Sequence, residues 1–68
     1  MEKIKISTEY IKLDQFLKYT GISFSGAEAK NYISDGKVKV NGNIELQRGK
    51  KLKPGDKIEA AGKIYLIE

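Results

Sequence analysis

The 68 residues specify an α+β domain, a two-helix hairpin packed on a small, mainly antiparallel β-sheet. Three features point to it. The chain opens on an alternating segment, Glu2–Ser7. Two helical stripes with their stop signals follow, ending at Gly36. The second half is then punctuated by the turn pairs Asn41-Gly42, Pro54-Gly55 and Ala61-Gly62. Helices followed by a run of short strands is the order of an α+β fold, not of a parallel α/β one. A chain of this length forms a single domain over residues 1–68. It buries only about 60% of its unfolded surface, so a thin core is expected.

In Glu2–Ser7, Ile4 and Ile6 share one face and Lys3 and Lys5 the other, the period of a strand. Ser7 or Thr8 then offers an N-cap for the first helix, with Glu9 near its positive end. Leu13, Phe16 and Leu17 recur at helical spacing and mark its buried stripe, while Lys12, Gln15 and Lys18 lie off it. Gly21 stands where a C′ glycine ends a helix. The second helix opens on a capping box, Ser25-Gly26-Ala27-Glu28. It turns Ala29 and Ile33 toward the first helix, points Lys30 elsewhere and closes at Gly36. Phe24 is expected to staple the two helices.

Lys37–Leu46 reads as a β-hairpin. A two-residue Asn41-Gly42 loop would set Val40 against Asn43 and Val38 against Glu45, mixing apolar with polar. A three-residue loop sets Val40 against Ile44, Val38 against Leu46 and Lys39 against Glu45, and this register is the one expected. It places Lys37 and Lys39 together on the solvent face. Pro54-Gly55 fits the centre of a type II turn, and Ala61-Gly62 joins strands at Lys57–Ala60 and Lys63–Ile67.

The net charge is +4, and its distribution matters more than its size. Between Lys37 and Lys57 there are seven basic residues (Lys37, Lys39, Arg48, Lys50, Lys51, Lys53, Lys57) against Glu45 and Asp56. Outside that segment acids outnumber bases by seven to six. A contiguous basic segment attracts phosphate-bearing surfaces and releases their counterions. The competing reading is a solvated lysine-rich face.

No cysteine and no histidine are present, which removes disulfides, thiolate metal sites and the commonest general base. No nucleophile–base pair or metal cluster appears, so neither catalysis nor a cofactor is expected. The chain starts on charged, alternating sequence without a visible signal peptide. Its longest apolar run, Ile64–Ile67, is far shorter than the roughly 18 residues of a membrane span. A monomeric, cytoplasmic protein with no membrane partner is expected.

Four pieces of the chain together resemble the S-four RNA-binding domain. They are Lys12-Leu13-Asp14, Ser25-Gly26, Gly36-Lys37-Val38-Lys39-Val40-Asn41-Gly42 and Pro54-Gly55-Asp56. Their order and spacing match the family over nearly the whole chain. Arg48-Gly49-Lys50-Lys51-Leu52, without any catalytic domain, is similar to the stand-alone bacterial YaaA-type members. Two positions depart from the pattern. Lys12 replaces an arginine, keeping charge but losing the bidentate fork, and Gly26 replaces the arginine that usually follows the serine.

The resemblance implies a non-catalytic protein that binds structured RNA, ribosomal RNA above all, with a role in ribosome assembly or on the ribosome. The contact set implied is Lys12, Gln15, Lys18, Ser25, Gly26, Lys30, Lys37, Lys39, Asn41, Arg48, Lys50, Lys51 and Lys53. Lys30, or the amides of the second helix, would then take over from the missing arginine. Ser25 has an alternative role as a cap, Asn41 as a turn former and Asp14 as a structural partner of a nearby base or amide. Base stacking is not expected, because Phe16 and Phe24 read as core and Tyr10, Tyr19, Tyr32 and Tyr65 are scattered. The alternative function is a protein-interaction module that docks its basic face on an acidic partner. DNA binding is disfavoured because the second helix offers only Lys30, Asn31 and Ser34 as base readers. A β-grasp sulfur carrier is disfavoured because the chain ends Tyr65-Leu66-Ile67-Glu68, not in a Gly-Gly tail.

Overall fold

A computed structural model describes residues 1–68 as strand β1 (Glu2–Ile4), strand β2 (Ile11–Lys12), helix α1 (Leu13–Tyr19), helix α2 (Gly26–Ser34) and five further strands. These are β3 (Lys39–Val40), β4 (Asn43–Ile44), β5 (Lys51–Leu52), β6 (Lys57–Ala60) and β7 (Lys63–Ile67). Five strands form one sheet in the order β1-β7-β6-β3-β4, with β1 parallel to β7 and every other pair antiparallel. β2 and β5 make a separate two-stranded ladder. The α+β class and the mainly antiparallel sheet are as the sequence implies. No helix is long and apolar enough to cross a membrane.

One face of the sheet is buried under the helices. Val38, Val40, Ile58, Ala60, Tyr65 and Ile67 form a single cluster with Leu13, Phe16, Leu17, Ala29, Ile33 and Leu52. Alternation does this work, since β6 reads exposed–buried–exposed–buried from Lys57 to Ala60. The expected stripes of both helices are therefore the observed ones.

The start of α1 is not where local signals put it. Neither Ser7 nor Thr8 caps the helix; the Thr8 hydroxyl donates to Tyr10 O at 2.7 Å, and β2 intervenes. The N-cap position is Lys12, which supplies no side-chain cap. The first amides are satisfied from afar: Leu13 N–H donates to Lys50 O at 2.9 Å and Asp14 N–H to Arg48 O at 3.0 Å. Carbonyls of a distant loop do what a capping side chain would otherwise do.

The end of α1 and the start of α2 agree more closely. Gly21 adopts φ +83°, the left-handed conformation that a C′ residue needs. Ser25 Oγ accepts from Glu28 N–H at 3.1 Å. Glu28 reaches back one residue further than a standard capping box, accepting from Phe24 N–H at 3.2 Å.

The Lys37–Leu46 hairpin corrects the expected register. Val40 pairs with Asn43 and Lys39 with Ile44, so the loop is the two-residue Asn41-Gly42. Both loop residues have positive φ, +51° and +87°, as a type I′ turn demands. The three-residue register was favoured to bury Ile44 and Leu46, but these lie at the sheet edge and stay 57% and 61% exposed. An edge strand with nothing over it has no apolar face to satisfy, so turn chemistry sets the register. Lys37 and Lys39 both stay exposed on either side of buried Val38, with different neighbours. Lys39 lies opposite Glu59 on the outer side of the sheet, whereas the Lys37 ammonium sits 5.5 Å from the centroid of Tyr32 on α2.

Phe24 is also corrected. It is 85% exposed, not a staple between the helices. The connection is closed instead by buried Ser23, whose N–H donates to Leu17 O, and by partly buried Ile22. The second core aromatic is Tyr65, 4% exposed and edge-on to Phe16 with ring centroids 5.3 Å apart. Truncating Tyr65 to alanine should cost about 3–5 kcal/mol in denaturant unfolding, enough to unfold a domain this small. Phe24→Ala should change stability by less than about 0.5 kcal/mol; a larger loss would mean that the ring is packed after all.

Candidate functional site

The ladder between β2 and β5 gathers basic residues that are far apart in sequence. Lys12 and Lys51 are direct cross-strand partners. Like charges opposite each other in an antiparallel pair are destabilising. Neither these two nor Lys50 or Lys53 has a carboxylate partner; the only ion pairs are Arg48–Asp14 at 3.5 Å and Lys63–Glu2 at 3.9 Å. The loop that caps α1 with its carbonyls thus carries its basic side chains beside Lys12. Gln15, in the first turn of α1, is exposed.

Two contacts fix cations within this cluster. Asp14 Oδ1 accepts from Gln15 N–H at 2.8 Å, leaving Oδ2 to hold the half-exposed Arg48 guanidinium, so Asp14 is the structural partner expected. The Lys51 ammonium lies 5.0 Å from the centroid of Tyr10, a cation–π contact worth roughly 0.5–1 kcal/mol at an exposed site. Beside the ladder, a shallow depression without any hydrophobic lining is formed by Gln47, Gly49, Lys50, Lys51, Lys53 and Asp56. Arranged this way, the cluster can attract and orient a polyanion; it holds no group placed for bond making or breaking.

The remaining sequence-predicted residues fall into other places. Ser25, Gly26 and Lys30 sit on the first turns of α2, with Lys18 exposed on α1. A side chain added at Gly26 would meet nothing within 4 Å. Lys39 faces outward on the sheet, and Lys37 covers Tyr32, whose hydroxyl accepts from Ala61 N–H at 2.9 Å.

Asn41 does more than form a turn. Its amide nitrogen donates to Asp56 Oδ1 at 3.1 Å, and its Oδ1 accepts from Lys57 N–H at 3.0 Å. Asp56 Oδ2 in turn accepts from Lys53 N–H at 2.8 Å across the Pro54-Gly55 turn, where Gly55 has φ +99°. Both the nitrogen and the oxygen of the side-chain amide are therefore engaged within the protein.

Tyr10, Gln47 and Gly49 were missed by sequence reasoning. Tyr10 carries no signal, because two-residue strands such as β2 and β5 are too short to show periodicity. Gln47 and Gly49 flank the recognised Arg48, and the clustering of loop positions there was the one available hint.

A family model described as S4 domain matches residues 4–68. The chain is 44% identical over 59 residues to "Probable ribosome maturation protein RlbA" of Bacillus subtilis (strain 168), spanning 87% of this chain and 83% of that protein. It is 40% identical over 53 residues to "Putative RNA-binding protein YbcJ" of Escherichia coli (strain K12), spanning 78% and 76%. The solution structure of YbcJ from E. coli, described as revealing an ALFAL motif involved in RNA-binding, superposes with a TM-score of 0.71 at 32% identity. That match covers 98% of this chain and 86% of the other.

Asn41→Asp should retain turn propensity yet set a second carboxylate against Asp56. We expect a stability loss of about 1.5–3 kcal/mol, from the lost donor and the new repulsion. Urea denaturation of Asn41→Asp, Asp56→Asn and the double variant checks this. Nearly additive losses would contradict a direct contact.

Proposed function

The chain belongs to the S4 domain family, and on that premise we propose that it is a non-catalytic protein that binds structured RNA, ribosomal RNA in particular, during ribosome maturation. The observation that supports this reading most is the pairing of Lys12 with Lys51 at the end of the basic loop. Two lysines are set opposite each other in the ladder, with Lys50 next to Lys51 in sequence, and none of the three has a carboxylate partner; like charges in register cost local stability. The fold keeps this unfavourable arrangement where an anionic partner would relieve it. The names of the relatives, which are of RNA-binding and ribosome-maturation proteins and not of enzymes, point the same way.

A-form RNA hides its base edges in a deep, narrow groove, so a protein recognises its backbone shape and junctions. Recognition of that kind needs cations at fixed spacing. Lys51 over Tyr10 and Arg48 on Asp14 are held in this way, while Lys12 is carried by the ladder. Lys18, Lys30 and the Ser25-Gly26 turn lie on the helical hairpin and not on the sheet. We read the protein as a cytoplasmic monomer in this role.

Binding of a junction-containing ribosomal RNA fragment should weaken steeply with salt, reflecting about 4–6 phosphate contacts, and should exceed binding to duplex DNA and to an acidic protein. Lys12→Gln, Lys50→Gln and Lys51→Gln combined should flatten the salt slope by about 2–3. Lys3→Gln, Lys57→Gln and Lys63→Gln, an equal change in net charge on other surfaces, should flatten it far less. Equal effects of the two triple variants would mean that only overall charge matters. Gly26→Arg, which has open space around it, should tighten RNA binding by roughly ten-fold, the scale of one added charge-assisted contact. A filter-binding titration that showed no gain would remove the start of α2 from the interface.

A further inference from the structure

Two aromatic rings stand in solvent at one end of the helical hairpin. Tyr19 is the last residue of α1 and is 67% exposed; Phe24, immediately before the N-cap of α2, is the most exposed large hydrophobic residue of the chain. The backbone that carries them is fixed. Thr20 N–H donates to Phe16 O, Gly21 N–H to Lys18 O and Ser23 N–H to Leu17 O, and Phe24 N–H donates to the Glu28 carboxylate. Ser23, between the rings in sequence, is buried. An exposed ring on fixed backbone loses little conformational entropy when something settles on it.

The surroundings identify what that would be. Lys18 precedes Tyr19, and Lys30 lies one turn into α2 from Gly26; both are exposed and neither is ion-paired. Glu28, the acid of this end, is turned back onto the Phe24 amide. The exposed aliphatic residues Ile44, Leu46 and Ile64 belong to the strand half of the chain, while Tyr19 borders a shallow depression with Lys5 and the partly buried Ile6 and Ile11, which Phe24 does not line. Aromatic faces flanked by lysines suit a nucleobase and its phosphates, because every base has a π-face to stack. The rings stand at the far end of α1 from Lys12, about 10 Å along a seven-residue helix, so one RNA can touch both places.

We propose, resting on the RNA-binding reading above, that Phe24, with Tyr19 at the same end of the hairpin, is a stacking site for an unpaired RNA base. The protein therefore prefers RNA with a loop or bulge at this point over a continuous duplex.

The chain has no tryptophan, so Phe24→Trp supplies a single indole at the proposed site, excited selectively to the red of the four tyrosines. Titration with an RNA hairpin carrying a bulge should quench its emission, and a fully paired RNA of equal charge should not. Phe24→Ala should weaken binding of the bulged RNA by about ten-fold and leave binding of the paired RNA unchanged. Unmoved emission together with wild-type affinity of Phe24→Ala for both RNAs would overturn the stacking site while leaving RNA binding intact. Failure of both RNAs to bind the unsubstituted protein at low salt would overturn the RNA-binding reading itself, and the stacking site with it.

Discussion

The seating of α1 on the loop before β5 is the constraint on which the rest depends. A helix begins with four amides that lack partners, and here two of them are satisfied by the carbonyls of Arg48 and Lys50. That joint brings Ile11 opposite Leu52 and Lys12 opposite Lys51, and it is packed from beneath by fully buried Leu13 and Leu52. Without it, the basic loop would be a tethered run of charge with no fixed relation to the helices. With it, residues almost forty positions apart present their cations as one surface.

A second joint does the same for the turns. Asn41 and Asp56 belong to motifs fifteen residues apart, yet one hydrogen bond between them and one backbone amide held by each make them a single unit. The second joint is polar and exposed, whereas the first is polar above and seated on the core through Leu13 and Leu52. Their contribution is geometric: they hold short strands in place where two-residue ladders alone would not persist. The sheet underneath supplies the stability, through a face shared by Tyr65, Ile58 and Val38 with both helices.

How much of this was legible follows from the range of each interaction. The helix stripes, Gly21, the Ser25 cap and the Ala61-Gly62 turn are written in neighbouring residues, and all stand where their local chemistry puts them. The start of α1 was misplaced because its cap is a pair of backbone carbonyls, which no side chain advertises. The Asn41-Gly42 register was misjudged because burial was assumed for Ile44 and Leu46 at an edge that nothing covers. Phe24 was assigned to the core on hydrophobicity alone, when buried Ser23 already closes the connection. Among the candidate contact residues, the basic loop was visible as a charge run. Its partnership with Lys12 and Tyr10 was not, since it exists only through the β2–β5 ladder.

Amide chemical-shift mapping of the isotopically labelled protein with a junction-containing ribosomal RNA fragment tests the central claim most directly. The largest changes should fall on Lys12, Gln15 and the Arg48–Lys53 loop, with the outer sheet face around Lys3, Lys57 and Glu59 nearly silent. Changes concentrated on that outer face, or spread evenly over every lysine, would contradict an interface assembled at the joint between α1 and the basic loop.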